Sequence, residues 1–151
     1  MDEIDRSILA ILATDGRINN AELAAAVGLS PSPCLRRVRR LEDEGIITAY
    51  RAVIRPDAVD RGLLVFVGVR LSHHSKDAVT AWEAAVTRLS QVAACHHTTG
   101  AYDYLLQVEV ADLAAYERFH AEALAALPEL GAVTSFVVMK TLEQVRTDSI
   151  S

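Results

Sequence analysis

The sequence predicts an α+β protein with an N-terminal helix-turn-helix domain, winged-helix-like in type, and a C-terminal ferredoxin-like βαββαβ domain. Two patterns support this fold class. Before Gly45, apolar residues recur at the spacing of amphipathic helices. After Gly62, alternating apolar stretches and helical stretches follow the order βαββαβ. We expect the helix-turn-helix domain at residues 1–50, a strand and linker at 51–62, the ferredoxin-like domain at 63–142 and a polar tail at 143–151.

The composition is that of a compact cytoplasmic protein. Of the 151 residues, 51% are hydrophobic, which is enough to form cores. The two cysteines, Cys34 and Cys95, lie one in each half, so they form no disulfide framework and fit a reducing compartment. The longest apolar run, Leu63 to Val69, is too short to span a membrane, and the acidic start is unlike a signal peptide. We therefore expect a cytoplasmic location and no membrane partner.

The charge is unevenly distributed, although the net charge is −5. Residues 1–62 contain nine arginines, no lysine and ten acidic residues, whereas the remainder has six basic and ten acidic residues. The second part is clearly acidic. A surface for nucleic acid is therefore expected only in the first part, where the arginines cluster.

Three short helices are predicted before Gly45. Apolar residues at helical spacing between Ile4 and Leu12 predict a first helix of about three turns. Asn19 and Glu22 have the spacing of a capping box at the start of a second helix, which Gly28 ends. The break before the third helix is a few residues long and contains that glycine, which is typical of a helix-turn-helix.

The third helix, from Ser30 to Gly45, is the feature around which the chain is organised. Ser30 or Ser32 can cap it, and a proline follows each serine in the first turn, where a missing N–H costs nothing. On a helical wheel one side carries an apolar stripe and the other side four guanidinium groups. The stripe consists of Cys34, Leu35, Val38 and Leu41, and the basic side of Arg36, Arg37, Arg39 and Arg40.

Two interpretations of this basic face compete. It is either the solvated side of an ordinary three-helix bundle or a surface that enters the DNA major groove. Arginine forks onto guanine or clamps phosphate, and hydroxyl groups at a helix N-terminus add phosphate contacts. We favour DNA binding, with double-stranded DNA as the partner. The candidate contact residues are Ser30, Ser32, Arg36, Arg37, Arg39 and Arg40.

The segment from Ile46 to Ile54 alternates and contains β-branched residues, which predicts a strand that serves as a wing or a connecting ribbon. The second domain follows. Its predicted elements are strand 63–71, helix 79–89, strand 92–97, strand 102–110, helix 112–127 and strand 132–139. Both helices of this arrangement cover the same sheet face. The other face, with Phe66, Leu105, Phe136 and Val138 as candidates, needs a cover, which predicts a homodimer.

Other site types are less well supported. The runs His73-His74 and Cys95-His96-His97 contain metal-ligand types, but neighbours in a strand point to opposite faces, and a third strand separates the two runs. The best catalytic pair, Asp103 with His120, has nothing to connect it. We therefore expect no metal site, no cofactor and no enzymatic activity.

The motifs together resemble the Lrp/AsnC family of prokaryotic transcription regulators. The matching residues are Asp15-Gly16-Arg17, Glu22-Leu23-Ala24, Gly28-Leu29-Ser30, the run 31–45, Gly100, Tyr102 to Leu106, and Phe136 to Met139. The run SPSPCLRRVRRLE is similar to that of the leucine-responsive branch. Many family members lack an arginine at the position of Arg36, whose added charge means either a further phosphate contact or a changed base preference.

The resemblance implies a sensor of small molecules, usually amino acids, in the second domain. It also implies dimers that assemble further, often to an octamer with DNA wrapped outside, and an effector near the loop of Gly100, Ala101, Tyr102 and Asp103. Gly100 lets backbone N–H groups approach a carboxylate, Asp103 can take an ammonium group and Tyr102 can close over a side chain. Thr134 and Ser135 are further candidates. A plain β-turn would use the same residue types.

We therefore expect a sequence-specific transcription regulator that responds to an amino acid. The alternative is an architectural protein that compacts DNA with little sequence preference, and the ratio of specific to random affinity distinguishes them. The sequence specifies neither the effector, nor the operator, nor whether transcription is activated or repressed.

Overall fold

A computed structural model of the chain describes residues 1–142, so the predicted polar tail lies outside the described residues. These residues divide into two compact units, Met1–Val53 and Ile54–Leu142. Among them, no helix has the length and apolar character needed to cross a bilayer. The predicted fold class is confirmed, with three helices in the first unit and a four-stranded antiparallel sheet with helices in the second.

The first unit contains α1 (Glu3–Thr14), α2 (Asn20–Ala26) and α3 (Pro31–Asp43). One side of each helix enters a common core. The buried members of this core are Ile8, Leu23, Ala24, Cys34 and Leu41. The three helices therefore occur where the apolar spacing predicts them.

Local hydrogen bonds set the ends of these helices. Asp2 caps α1, and Asp2 and Asp5 form a complete capping box. Asn19 caps α2 by accepting from the backbone N–H of Glu22 at 2.9 Å. Ser30 occupies the cap position of α3, but its side chain makes no capping hydrogen bond. Instead, the Asn20 amide donates to the Pro31 carbonyl oxygen at 2.8 Å, which joins the start of α2 to the start of α3.

The strand predicted between Ile46 and Ile54 is wrong, because this segment has no regular secondary structure. Its side chains are largely exposed, and Val53 and Ile54 project into solvent. A strand exists only where a second strand satisfies its backbone groups, and alternation alone does not supply one. The phenol of Tyr50 nevertheless donates to Glu42 at 2.8 Å, which ties the segment to the end of α3.

The second unit contains a βαββαβ arrangement after a short 3-10 turn. Its sheet has the strand order β2-β3-β1-β4, with every neighbouring pair antiparallel. The first and second strands are thus separated by the third, as predicted. The elements are β1 (Leu63–Leu71), α4 (Lys76–Val86), β2 (Val92–His97), β3 (Tyr104–Val110), α5 (Leu113–Arg118) and β4 (Leu130–Val137).

The central strands have one fully buried face. Val65, Val67 and Val69 of β1 lie opposite buried β3 residues and pack with Trp82 of α4 and with Phe119, which follows α5. The alternate residues of the strands form the other face, called here the outer face. Phe66 and Leu105 on this face are partly exposed, and Phe136 is 47% exposed.

The helix predicted from Asp112 to Leu127 is not continuous. After Arg118 the chain widens into a π-helical turn, Phe119–Leu124, in which the Ala125 N–H donates to the His120 oxygen at 3.1 Å. The wide turn moves the buried position from the predicted Ala123 to Leu124, which is 1% exposed. Asp112 still caps the helix as predicted.

Candidate DNA-binding face and effector loop

Two of the four arginines of α3 point directly into solvent. Arg36 and Arg39 are exposed and form no ion pair with another described residue. All four arginines, with Ser32, Leu35 and Asp43, line a shallow depression along the helix. This side of the helix is therefore an accessible surface with two free guanidinium groups.

The other two arginines are turned toward α1. Arg37 Nη1 lies 2.7 Å from Asp2 Oδ2 and 2.8 Å from Asp5 Oδ1, and Arg40 Nη2 lies 2.6 Å from Asp5 Oδ2. The side chain of Asp5 is 1% exposed, whereas those of Arg37 and Arg40 are 26% and 46% exposed. A single buried carboxylate thus holds both guanidinium groups.

The prediction that all four arginines lie opposite the core is wrong for Arg37. At 100° per residue Arg37 lies only about 40° from Leu41 and about 60° from Cys34, so its side chain leaves from the edge of the apolar stripe. Leu35 is likewise at the edge, and it is 38% exposed rather than part of the core.

The electrostatics of Asp5 follow from its partners. Burial alone would raise the pKa of its carboxyl group, but hydrogen bonds from the Asp2 backbone and from Arg37 and Arg40 outweigh burial and lower this pKa to about 2. Sequence reasoning missed Asp5, although a visible pattern marked it. It lies three residues before Ile8, on the buried face of an amphipathic helix, where a carboxylate requires partners.

In the second unit, the candidate effector loop is closed by its own hydrogen bonds. The Thr98 N–H donates to the Asp103 carbonyl oxygen at 2.9 Å, and the Thr98 hydroxyl donates to the Tyr102 oxygen at 2.8 Å. Gly100 has φ of +106°, which strongly favours glycine, and Ala101 is exposed at the tip. The strand predicted from Tyr102 therefore begins only at Tyr104.

The Asp103 carboxylate is held at one oxygen. Its Oδ2 accepts from the Leu71 N–H at 2.8 Å and lies 3.0 Å from His74 Nε2. The hydrogen bond from Leu71, followed by that from His74, lowers the pKa of Asp103. Asp103 therefore pairs with His74 and not with His120, whose ring lies near that of Tyr116. Sequence reasoning did not connect His74 with Asp103, because 29 residues separate them.

Tyr102 lies on the outer face of the sheet, above Gly68. A Cβ atom at position 68 would lie 2.7 Å from the Tyr102 ring, and the ring meets that of Phe136 edge-on at a centroid distance of 6.2 Å. Thr134 pairs with Gly68 across the sheet and therefore lies on the same face as Tyr102. The absence of a side chain at Gly68 therefore creates the space that Tyr102 occupies.

The structure separates the remaining candidate, Ser135, from this loop. Adjacent strand residues point to opposite faces, and the Ser135 hydroxyl lies 2.5 Å from the Tyr116 hydroxyl on α5. Ser135 therefore faces the helices, while Thr134 faces the same side as Tyr102.

The histidine runs contact carboxylates or aromatic rings. His73 Nδ1 lies 2.8 Å from Glu129 Oε2, and the His97 ring stacks on Tyr104 with centroids 4.8 Å apart. Within residues 1–142, no three His, Cys, Asp or Glu side chains lie close enough to hold a metal ion.

The two units together define a class of protein: a transcription regulator in which a helix-turn-helix unit is joined to a ligand-binding domain. Residues 1–48 match the family described as winged helix-turn-helix DNA-binding, and residues 64–147 match the Lrp/AsnC ligand binding domain. The chain belongs to the Lrp/AsnC family of transcription regulators.

Relatives match almost the whole chain. The chain is 44% identical over 144 residues to the leucine-responsive regulatory proteins of Salmonella typhimurium and Escherichia coli K12. The alignment covers 95% of this chain and 88% of each relative. A Neisseria meningitidis transcriptional regulator solved as an L-Met complex matches with a TM-score of 0.90, 38% identity and coverage of 95% and 92%. An AsnC family regulator from Agrobacterium tumefaciens gives a TM-score of 0.90 at 36% identity, covering 95% and 93%.

Removal of the buried charge is expected to destabilise the first unit. Asp5→Asn should lower the free energy of unfolding by about 2 kcal/mol at pH 7, because the low pKa of Asp5 reflects stabilisation of its charged form. The folded pKa lies below the unfolded one, so this stability exists above pH of about 4 and disappears as pH falls toward about 2. Urea denaturation followed by far-UV circular dichroism across this range measures it.

The matched control is Glu44→Gln, which removes a 53% exposed carboxylate that lies 3.7 Å from Arg40. Its effect should stay within about 0.5 kcal/mol. Equal stability of Asp5→Asn and wild type at pH 7 would contradict the importance of the buried carboxylate.

A side chain at position 68 is expected to move Tyr102. In Gly68→Ala the new methyl group would overlap the ring, so the Tyr102 side chain has to shift. The ¹⁹F resonance of fluorotyrosine at position 102, assigned with Tyr102→Phe, should shift. Gly62→Ala is the control, because a Cβ there finds its nearest neighbours at 3.7 Å. An unchanged resonance in Gly68→Ala would contradict the contact.

Proposed function

We propose that this regulator binds DNA in a sequence-specific manner through the exposed side of α3 and that an amino acid bound near residues 100–103 controls it. One observation above all supports the DNA-binding half. Arg36 and Arg39 stay free on the outer side of α3, while Asp5 holds the same helix against α1 through Arg37 and Arg40. A rigidly held helix with free guanidinium groups is suited to the major groove.

The individual contacts divide by exposure. Arg36 and Arg39 are the candidates for bases or phosphates, and Ser32 lies on their side of the helix. The hydroxyl of Ser30 makes no capping bond, so it is available to a phosphate oxygen at the helix N-terminus. Arg40 is half exposed and can reach phosphate while it stays bound to Asp5. Arg37 acts mainly within the domain.

An amino acid is the proposed effector. The Neisseria relative was solved with L-Met. In this chain, Asp103 offers a carboxylate to an ammonium group, and Tyr102 and Thr134 offer a surface beside it. Gly100 and Ala101 leave the tip of the loop open to a ligand. Ser135 is not part of this proposal, because it faces the helices.

Assembly completes the proposal. The outer face of the sheet exposes Phe66, Leu105 and Phe136, with Val138 beside them, and a second copy would cover these apolar groups. Dimers would then associate further, to an octamer in the form that the family resemblance implies. The effector acts only through its different affinity for two arrangements, a coupling of about 1–3 kcal/mol. The protein would work in the cytoplasm, need no cofactor and turn over no amino acid.

Fluorescence anisotropy over a salt series tests this function. The protein is titrated into its own upstream DNA and into a random duplex of equal length, with and without each of the twenty amino acids. We expect tighter, salt-dependent binding to the upstream fragment and a shift by at least one amino acid. Equal affinity for both duplexes would favour an architectural role. Absence of binding even at low salt would contradict DNA binding by α3.

Substitutions in α3 are expected to separate the two kinds of arginine. Arg36→Ala and Arg39→Ala should each weaken DNA binding, by about 1–3 kcal/mol for a base contact or with a salt slope reduced by about 1 for a phosphate contact. Both should keep the wild-type free energy of unfolding.

Unlike Arg36→Ala and Arg39→Ala, Arg37→Ala should lower the free energy of unfolding, because it removes a partner of the buried Asp5. Arg88→Ala, an exposed arginine of the second unit, controls for loss of one positive charge. The assignment fails if Arg36→Ala and Arg39→Ala bind DNA like Arg88→Ala.

A further inference from the structure

We infer that His74 is a positioning residue of the effector site: it holds the Asp103 carboxylate apart from Arg70, so that Asp103 binds the ammonium group and Arg70 the carboxylate of the same amino acid. The inference rests on the proposed function, because it takes the loop of residues 100–103 as the effector site. It assigns a role to Arg70 and His74, which belong to β1 and to the segment after it.

The two donors to Asp103 fix the orientation of its carboxylate. Leu71 N–H and His74 Nε2 both contact Oδ2, at 2.8 and 3.0 Å. Among the described residues, none donates to Oδ1. One oxygen is therefore occupied and the other has free lone pairs, while the side chain as a whole is 28% exposed. A carboxylate held in this way can receive an ammonium group without reorganising.

The contact between His74 and Asp103 is anchored at both ends. The Asp103 N–H donates to the Val69 oxygen at 2.8 Å, which fixes its backbone to β1. Ser75, next to His74, caps α4 by accepting from the Ala78 N–H at 3.2 Å. The imidazole itself is 64% exposed, so its contribution is to Asp103 rather than to a buried core.

Arg70 is the cation that Asp103 would otherwise bind. The pairing of Val69 with Tyr104 brings Asp103 next to Arg70, and the positive charge of Arg70 contributes to the low pKa of Asp103. Arg70 is exposed, and it forms no ion pair with any residue in 1–142. Neighbouring opposite charges attract, so an ion pair between Arg70 and Asp103 would form unless other contacts hold the carboxylate elsewhere. The hydrogen bonds to Oδ2 draw the carboxylate toward Leu71 and His74 instead.

A separated pair of opposite charges matches the two ends of an amino acid. The ammonium group would donate to Asp103 Oδ1, and the α-carboxylate would accept from the guanidinium of Arg70. Tyr102 lies beside them on the outer face, above Gly68, where a ligand side chain would extend. If His74 is lost, Asp103 is free to rotate toward Arg70, and the two charges neutralise each other instead of the ligand.

His73 provides a matched control. It is adjacent in sequence and similarly exposed, at 75%, but its Nδ1 contacts Glu129, which also accepts from the Ser72 hydroxyl at 3.0 Å. Glu129 is not part of the loop of residues 100–103. Loss of His73 therefore removes an equivalent imidazole without affecting Asp103.

Calorimetric titration of the full-length protein tests the inference. The ligands are the tightest binder among the twenty L-amino acids, beginning with L-methionine, and its analogues without the amino or the carboxylate group. For methionine these are 4-(methylthio)butanoate and 3-(methylthio)propylamine. His74→Ala should bind the amino acid about tenfold more weakly than wild type does. It should also bind the amino acid no more tightly than the analogue without the amino group, because Asp103 no longer faces the ammonium group.

The companion variants specify the mechanism. His74→Gln should restore most of the affinity, because its amide can donate to Asp103, and His73→Ala should bind like wild type. Arg70→Gln should weaken the amino acid about tenfold while leaving the amine analogue unaffected. Thermal melts should remain unchanged for all variants. Wild-type affinity in His74→Ala, or equal losses in His74→Ala and His73→Ala, would overturn the inference.

The same titrations distinguish failure of the inference from failure of the proposed function. If wild type binds an amino acid and Asp103→Ala does not, but His74→Ala binds normally, the effector site stands and only the role of His74 is wrong. If wild type binds no amino acid, or if Asp103→Ala binds as tightly as wild type, the proposed effector site is itself wrong and the inference falls with it.

Discussion

The burial of one carboxylate, that of Asp5, governs the N-terminal unit. An isolated buried charge is costly, so the helix that carries it must lie against a helix that brings cations. Arg37 and Arg40 of α3 meet this requirement, and they thereby fix the distance and rotation between α1 and α3. The orientation of Arg36 and Arg39 toward solvent follows from that contact, because arginines spread over the five helical positions 36–40 cannot all face the same partner.

The second unit applies the same principle at its surface. Asp103 immediately precedes β3, and donors from β1 and from the segment that follows β1 determine where its carboxylate points. The sheet behind it is rigid because its central strands are buried on the helix side. A half-exposed polar loop on a rigid support is a common basis for ligand sites, since the scaffold carries the cost of orientation.

Much of the fold could be predicted from the sequence, and the parts that could not share a physical cause. The helices and strands follow local periodicity, so Ile8, Val67 and Trp82 could be assigned to cores before their neighbours were known. The segment 46–54 has the right alternation but no partner strand, and the π-helical turn after Arg118 changes a register that periodicity assumes to be regular. Neither the missing partner strand nor the changed helical register can be recognised from the local sequence pattern.

The candidate site was predictable to a similar extent. The arginine cluster and the loop at Gly100 were visible, but the roles within them depend on residues far away in the chain. Arg37 differs from Arg36 because of Asp5, which is 32 residues earlier, and Asp103 is oriented by His74, which is 29 residues earlier. The separation of Thr134 from Ser135 was available from strand alternation alone.

Because each unit contains one cysteine, the rate of thiol modification can be followed separately in each unit. Cys34 is fully buried in the core of the first unit, and burial raises the pKa of its thiol, so a reagent in water reaches it only when the three helices open. Cys95 is partly exposed on β2 of the second unit, and although burial and the neighbouring Glu83 also raise the pKa of its thiol, its modification does not depend on opening of the three helices. A ligand that steadies the DNA-binding helices would therefore slow the modification of one thiol and leave the other as an internal reference.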